Sequence, residues 1–265
     1  MKTLQKITLF AMFLAISLTT WGQMAVVEFM KVPPGNGAKY METEKAWKKI
    51  QEERLKAGLI EGWTLYQNMF AGADEDYQYV TVTRYKNMAA YEKSGFEEAA
   101  KKAFPEYTDK DWDDFYRKTG ESRVLSKADV YHQVMRADGP VKPLPYLQIS
   151  IMKVSPGNEQ AYLDLEKSIY KPFHEALIKN GKMESWSVWS KYPGNLKEDQ
   201  FTTVNGYSSL EQAESQDGAK VFASLFPEMN INDVMKQTEA ARTMTEVYIW
   251  RAIDYVDVNP NISRK

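Results

Sequence analysis

Strand-like and helix-like segments alternate along the chain in an order that occurs twice. In the first half, alternation of apolar and polar residues predicts strands at residues 26–31, 63–66, 79–83 and 130–134. Helical periodicity predicts one helix from a cap at Asn36 to about Ala57, and a helical region from Met88 to about Lys118. The second half repeats these signals, with strands at residues 147–153, 186–189, 201–205 and 247–253. Each half therefore has the order βαββαβ.

The two halves also match residue by residue. The segment MKVPPGN at residues 30–36 corresponds to MKVSPGN at 152–158, and FPE at 104–106 corresponds to FPE at 226–228. After a one-residue gap, Trp63 corresponds to Trp186. The matches predict a duplicated unit of about 115 residues, an ordinary domain size. We place the repeats at residues 23–137 and 146–257, joined by a Pro-rich linker at 138–145 and followed by a tail at 258–265.

The order βαββαβ is that of the ferredoxin-like unit, whose four-stranded sheet carries both helices on one face. The other face is left uncovered, and two such sheets can cover each other. The predicted fold class is therefore α+β, with two ferredoxin-like repeats forming an intramolecular dimeric α/β barrel. Alternate strand residues from both halves are expected to line its interior.

The first 22 residues are typical of a secretory signal peptide. Lys2 and Lys6 precede a short apolar stretch, and small residues at Thr20 and Gly22 suit cleavage before Gln23. The stretch is too short to span a bilayer comfortably, so we expect no stable membrane insertion. Cleavage takes the net charge from −2 to −4 and predicts a periplasmic or secreted protein.

Composition narrows the chemistry. The chain has 34 Lys and Arg against 36 Asp and Glu, which gives no support to nucleic-acid binding. The chain has no cysteine, which excludes thiolate catalysis and Cys-ligated metals. Neither nucleotide-binding glycine motif occurs, and no two ligands have the helix spacing of a metal site. We expect no cofactor and no metal, and a small-molecule partner.

The tract KPFHEALIKNGK at residues 171–182, followed by Trp186, resembles NIPSNAP-like members of the dimeric α/β-barrel superfamily. The resemblance covers nearly the whole mature chain and implies the fold. The superfamily includes cofactor-free monooxygenases, isomerases, cyclases, haem-containing dehydratases and members without known activity, so the resemblance implies no single function.

Three basic residues are candidate catalytic groups. His174 lies beside the apolar stripe of the first helix in the second repeat, where it is either a general base or a haem ligand, or a partly buried structural imidazole. His132 and Arg251 occupy equivalent positions on the last strands, on faces shared with apolar residues. An interior Arg251 could bind a carboxylate through two hydrogen bonds. Alternatively, both lie near strand ends and reach solvent.

Four further residues are candidates for substrate binding. Glu28 interrupts an apolar strand and suits a wet barrel interior, unless that face is a solvated sheet edge. Tyr66, Tyr79 and Trp189 stand at positions that are aromatic in both repeats. They could stack on a sugar or a planar ring, although aromatic residues at strand spacing are also common in plain cores.

With nucleotide and thiol chemistry excluded, general acid–base catalysis is the reaction type that remains. We therefore expect an exported dehydratase, lyase or isomerase acting on a small acidic substrate, such as a sugar acid or acidic oligosaccharide. One alternative is a non-catalytic module that binds a ligand or partner, and another is a haem-binding barrel. Further association into an oligomer is left open.

Overall fold

The computed structural model describes residues 23–137, 143–192, 200–215 and 217–257. The predicted signal peptide, the tail and linker residues 138–142 lie outside the described residues. Within the described ranges, no helix combines the length and apolarity needed to cross a membrane.

The described strands form one closed antiparallel barrel. Their bounds are β1 (Met24–Lys31), β2 (Gly62–Asn68), β3 (Tyr79–Tyr85), β4 (Val124–Arg136), β5 (Tyr146–Lys153), β6 (Ser185–Lys191), β7 (Phe201–Tyr207) and β8 (Thr243–Asp257). Around the barrel the order is β1-β3-β2-β8-β5-β7-β6-β4, and β4 pairs with β1 to close it. The predicted fold of two repeats in one barrel is confirmed, with strands longer than the sequence predicts.

The two repeats meet at two equivalent junctions. Strand β2 pairs with β8, and β6 pairs with β4, so the last strand of each repeat joins the second strand of the other. Since every neighbouring pair is antiparallel, β1 and β5 run in the same direction along the barrel. Equivalent residues of the repeats therefore lie at the same end. We call the end where β1 and β5 finish the upper end, and the end where they begin the lower end.

Helices cover the outside of the barrel. The first repeat has α1 (Gly37–Lys56), α2 (Met88–Glu92), α3 (Phe96–Ala103) and α4 (Asp109–Ser122). The second has α5 (Glu159–Leu165), a π-helical turn (Glu166–Tyr170), α6 (Lys171–Lys179), α7 (Leu210–Glu214), α8 (Gly218–Leu225) and α9 (Ile231–Ala241). Gly58 and Gly181 follow the first long helix of each repeat with φ of +68° and +69°, a conformation that favours glycine.

The π-helical turn explains the one-residue gap between the repeats. Helix α1 is continuous, whereas the equivalent helix of the second repeat is interrupted at Glu166–Tyr170. A π-bulge accommodates one extra residue within an α-helix. The insertion therefore falls between Glu166 and Gly181, and it sets the register in which His174 faces the sheet.

The predicted asparagine caps differ in detail. Asn36 and Asn158 precede their helices, but neither side chain caps its own helix. The Asn36 Nδ2 instead donates to the Glu121 carbonyl at 2.9 Å, and the Asn158 Nδ2 donates to the Ala240 carbonyl at 3.2 Å. Each asparagine thus ties the start of its helix to the end of the last helix of the same repeat.

Both faces of the barrel strands are buried. Trp63 and Trp186, with 2% and 1% exposure, pack on the outer face beneath the helices. The inner face carries a separate apolar cluster that includes Phe29 from the first repeat and Trp250 from the second. The two tryptophans thus pack the helices of their own repeats onto the sheet.

A tyrosine–glutamate–arginine group is buried between the first helix and the sheet in each repeat. In the first repeat the Arg123 Nε lies 3.1 Å from Oε1 of Glu44, which is 3% exposed and adjoins Tyr40. Burial raises the pKa of Glu44 to about 7, against the opposing effect of Arg123. Burial likewise raises the pKa of Glu166 in the second repeat to about 7, against Arg242.

These carboxyl groups predict a pH dependence of stability. Each binds its proton more tightly when folded, since the pKa rises from 4.5 to about 7. Their stabilising contribution is therefore complete below about pH 4.5 and is lost as the pH rises through about 7. We expect E44Q and E166Q to flatten the fall in the free energy of unfolding between pH 5 and 8, measured by urea denaturation. E42Q, at an exposed position of α1, is the control; an unchanged slope in both buried variants would contradict the assignment.

Candidate functional site

A cavity of about 180 Å³ occupies the barrel interior. Pockets for drug-sized ligands have roughly 300–1,000 Å³, so this cavity suits a more compact molecule. Its lining is predominantly aliphatic and aromatic, and both repeats contribute to it. Its aromatic and charged lining residues include Phe29, Tyr66, Tyr77, Lys127, Trp189, Glu246, Tyr248 and Trp250.

Charged lining residues at the upper end differ between the repeats. Lys127 pairs with Phe29 in the β1–β4 ladder, and Glu246 pairs with Ile151 at the equivalent position of β5–β8. The Lys127 ammonium lies 4.5 Å from the centre of the Phe29 ring and 3.5 Å from the Asp129 carboxylate. A barrel of two related halves thus has a lysine on one wall and a glutamate on the other.

Glu246 belongs to a polar cluster on one wall of the cavity. The Tyr248 hydroxyl donates to the Glu246 carboxylate at 2.6 Å. The Tyr77 ring lies 5.6 Å from that of Tyr248 and 6.4 Å from that of Trp250. Burial raises the pKa values of Tyr77 and Tyr248, and the nearby Glu246 carboxylate raises both further. Both hydroxyls therefore stay protonated at neutral pH.

The middle of the cavity is aromatic. Tyr66 and Trp189, at equivalent positions of β2 and β6, line it from opposite repeats. The Trp189 Nε1 donates to the Ser187 hydroxyl at 2.8 Å, and burial raises the pKa of Tyr66 to about 12. Rings held in this way offer flat apolar surfaces against which a planar ligand can pack.

Arg84 marks the lower end. Its Nη2 lies 2.7 Å from the Asp257 carboxylate, and its guanidinium fills the space where a Cβ on Gly62 would lie. In the second repeat, Ser185 stands at the position of Gly62 and Gly206 at the position of Arg84. The glycine of the pair is therefore on the other strand. There Leu144, at the end of the predicted linker, fills the space beside Gly206.

Of the seven candidate site residues, the structure brings Tyr66 and Trp189 together in the cavity. Tyr79 lies on the outer face, with its ring 4.7 Å from that of Tyr40 on α1. Glu28 also differs from the expected interior placement. It lies on the helix-covered side, where it accepts a hydrogen bond from the Thr81 hydroxyl at 3.0 Å and its charge raises the pKa of Glu44.

His132 and Arg251 do not line the cavity, because the strand residues that line it are the ones immediately before them. Their neighbours Tyr131 and Trp250 line the interior, whereas His132 packs near Tyr192 with a ring separation of 5.3 Å. Arg251 is exposed, and its Nη2 donates to the Gln67 side chain at 2.6 Å. Of the two placements that the sequence left open for Arg251, the structure shows the solvent-exposed one, and the interior one is wrong because Trp250 beside it lines the cavity.

His174 lies outside the barrel, between α6 and the sheet. Its ring stacks on Trp186 at 5.0 Å with an interplanar angle of 11°, and its Nδ1 lies 2.7 Å from the Tyr170 carbonyl. Burial lowers the pKa of His174 to about 4, so the imidazole is neutral at pH 7 and Nδ1–H donates to that carbonyl. Such a ring is a weak base, and it is turned away from any ligand in the cavity.

The positions of the two histidines do not support haem binding inside the barrel. Neither histidine lines the barrel cavity, and the His174 ring is packed between Phe173 and Trp186. An axial ligand needs an imidazole nitrogen that faces the space the porphyrin would fill. The described residues therefore do not fit haem in the barrel.

Sequence reasoning missed Tyr77, Lys127, Glu246 and Tyr248. Tyr77 precedes β3 in a loop, where no periodicity signals its direction. Lys127 and Glu246 lie on the long upper halves of β4 and β8, beyond the predicted strands, whereas Tyr248 lies at the start of the strand predicted at residues 247–253. Lys127 and Glu246 occupy equivalent positions, because each lies five residues before its repeat's member of the pair His132 and Arg251. The change from a positive to a negative residue at this position was the signal in the sequence that could have pointed to the site.

A scan against protein-family models finds no match, and a search of curated proteins finds none either. Solved structures resemble the chain in fold. A candidate monooxygenase from Fusobacterium nucleatum has a TM-score of 0.59 at 11% identity and covers 91% of this chain and 96% of its own. A candidate monooxygenase from Lactobacillus acidophilus has a TM-score of 0.55 at 9% identity, with 89% and 96% covered. An anthrone oxidase-like protein has 0.51 at 12%, with 91% and 95% covered. These likenesses establish the dimeric α/β-barrel fold and leave the NIPSNAP-like resemblance a prediction.

The contact between Gly62 and Arg84 gives a testable result. G62A places a Cβ against the guanidinium, so we expect a loss of about 1–3 kcal/mol in the free energy of unfolding. The matched control is G120A, on an exposed helical position with open space around it, which we expect to stabilise by about 0.5–1 kcal/mol. Denaturant melts of both variants check the opposite signs, and an equal effect would show that Arg84 moves freely.

Proposed function

We propose that the protein binds a compact, planar and largely apolar molecule inside the barrel and moves a proton on it, with Glu246 as general base. The observation that carries this proposal is the aromatic cavity with Glu246 as its one carboxylate among the described lining residues. Tyr248 holds that carboxylate through the 2.6 Å hydrogen bond. Catalysis by a positioned carboxylate requires no cofactor.

The lining changes the expected substrate class. A sugar acid has a hydroxyl on nearly every carbon, and each buried hydroxyl needs a hydrogen-bond partner. The cavity instead offers aliphatic side chains and the rings of Phe29, Tyr66, Trp189 and Trp250. In this proposal the acidic carbohydrate-derived substrate is therefore replaced by an aromatic or conjugated compound.

The chemistry begins with removal of an acidic C–H or O–H proton by Glu246. The anion that forms can be reprotonated elsewhere, which is isomerisation, or can expel a β-hydroxyl group with a proton as water. It can also form a C–O bond with molecular oxygen, which is reduced to a peroxide anion that takes the proton back from Glu246 as a hydroperoxide. Fold neighbours named as candidate monooxygenases and as an anthrone oxidase-like protein support testing oxygen as a co-substrate. Lys127, on the opposite wall, supplies the positive charge that stabilises such an anion.

Proton exchange tests the removal of the proton, which is the step common to isomerisation, loss of water and reaction with oxygen. We expect the protein to accelerate exchange of the α-protons of 2-tetralone with D2O, followed by NMR. E246Q should lower the rate about 100-fold, the scale of general acid–base catalysis. E239Q, an exposed substitution on α9, is the control and should exchange at the wild-type rate. Oxygen uptake in the same samples shows whether the anion is oxidised.

One alternative is ligand binding without turnover, which the solvent exposure of Glu246 favours. Binding of 2-tetralone with no accelerated exchange would support that alternative. Binding should be abolished by I149W, since the larger side chain fills the cavity. Wild-type protein that binds no planar probe would contradict the proposed ligand class.

We also propose that the protein is exported, on the strength of the N-terminal sequence pattern. Expression of the full chain in a Gram-negative host should yield periplasmic protein that begins at Gln23, read by N-terminal sequencing. Replacing Leu14 in the apolar stretch with Asp should retain the uncleaved chain in the cytoplasm. Cytoplasmic protein with an intact N-terminus in the wild type would contradict this proposal.

A further inference from the structure

A second cavity, of about 150 Å³, lies at the lower end of the barrel and adjoins the aromatic cavity. Tyr66, Arg84 and Trp189 are among the residues that line both cavities. The two volumes, about 180 and 150 Å³, together reach the roughly 300 Å³ at which pockets for drug-sized ligands begin. A ligand in the aromatic cavity therefore has space to extend towards the lower end.

The lower cavity differs from the aromatic cavity in its charge. Its described lining has two guanidinium groups, those of Arg84 and Arg136, and no carboxylate. The amide side chains of Gln23 and Gln133 belong to the same lining. A cavity lined by cations and neutral hydrogen-bonding groups favours a negatively charged ligand group.

Arg84 lies where the two cavities meet, and its surroundings hold it in place. The Asp257 carboxylate, which is outside the lining, contacts the Arg84 Nη2 at 2.7 Å. The same guanidinium packs closely over Gly62, where a Cβ would lie 2.2 Å from Nη2. Among the described residues, Nε and Nη1 of Arg84 have no hydrogen-bond partner, so these two donors are available to a ligand.

Arg136 lies at the exposed mouth of the lower cavity. Its Nε donates to the neighbouring Ala137 carbonyl at 3.3 Å, and its guanidinium forms no ion pair with any residue that the structure describes. The second repeat has Gly206 and Tyr255 at the positions of Arg84 and Arg136, so the first repeat alone supplies these two charges.

We infer that the lower cavity binds the carboxylate of an aromatic acid whose rings occupy the aromatic cavity. The inference rests on the proposed function, because it adds an acid group to the planar molecule proposed there. Arg84 and Arg136 against Asp257 leave one positive charge in excess, which matches one carboxylate. A guanidinium group binds a carboxylate through parallel N–H donors, and a largely apolar interior screens the attraction little.

The upper end suits an acid group less well. Glu246 lines the cavity there and would repel a second carboxylate. Lys127 lies 3.5 Å from the Asp129 carboxylate, which already balances part of its charge. With its acid group at the lower end, the ligand directs its uncharged part towards Glu246.

Calorimetric titration with a matched pair of probes isolates the acid group. 2-Naphthoate and 2-naphthamide have the same rings, and only the acid is charged. We expect wild-type protein to bind 2-naphthoate at least tenfold more tightly than 2-naphthamide at pH 7. Acetate, which has the acid group without the rings, should bind at least tenfold more weakly than 2-naphthoate.

Two variants change the charge of the lower cavity in opposite directions. R136M removes a positive charge and should weaken 2-naphthoate binding about fivefold, the scale of an exposed ion pair. D257N removes the negative neighbour of Arg84 and should strengthen 2-naphthoate binding about threefold. Both should leave 2-naphthamide binding within about twofold, which also shows that they are folded. R117M, at an exposed position of α4, is the control and should match the wild type.

The outcomes separate this inference from the proposed function. Equal wild-type affinity for 2-naphthoate and 2-naphthamide, or a preference that neither R136M nor D257N changes, would overturn the acid site and leave the aromatic cavity standing. Loss of the preference in K127M instead of R136M would also overturn it, since the acid group would then lie at the upper end. Acetate that binds as tightly as 2-naphthoate would overturn the link to the rings. Failure of both naphthalene probes to bind would contradict the acid site together with the proposed ligand class, whereas proton exchange unaffected by E246Q bears on the proposed base alone.

Discussion

Closure of the barrel is the constraint on which the rest of the structure depends. Each repeat has a sheet with one face covered by its own helices and one face bare, and two unpaired strand edges. The β2–β8 and β4–β6 pairings satisfy those edges and turn both bare faces inward. Neither repeat can bury its inner face alone. The cavity therefore exists only because the halves are joined, and residues of both repeats line it.

The two repeats differ in residues that line and close the barrel. The Tyr–Glu–Arg groups beneath the helices are retained in both halves, which indicates that they maintain the packing of helix on sheet. By contrast, Lys127 of the first repeat corresponds to Glu246 of the second, and the Gly62–Arg84 pair corresponds to Ser185–Gly206. A symmetric cavity would present two equal binding poses to an asymmetric molecule. Exchanging the charge on one wall removes that degeneracy and gives the ligand one orientation.

The sequence predicted the fold because its evidence is redundant: βαββαβ occurs twice, with matching turns and tryptophans. It could not predict which strand residues face the cavity. In a closed barrel covered by helices, both strand faces are buried, so hydrophobic alternation no longer separates inside from outside. Apolar residues stand on both strand faces around His132 and Arg251, so the alternation did not show that Tyr131 and Trp250 line the interior. Glu28 misled for the same reason, since its carboxylate is accommodated on the outer face by Thr81.

The scarcity of polar groups in the cavity gives each one more influence. In an apolar interior, a charge or a donor acts on a ligand with little screening, whereas at a wet surface the same group acts weakly. Glu246 is solvent-exposed at the upper end, whereas the Tyr77 and Trp250 side chains, each 5% exposed, are buried in the lining. Burial without a charged partner disfavours the charged form of a carboxyl group and so makes it a poorer base. The arrangement thus keeps the one carboxylate of the described lining at the exposed end and neutral aromatic side chains in the buried part.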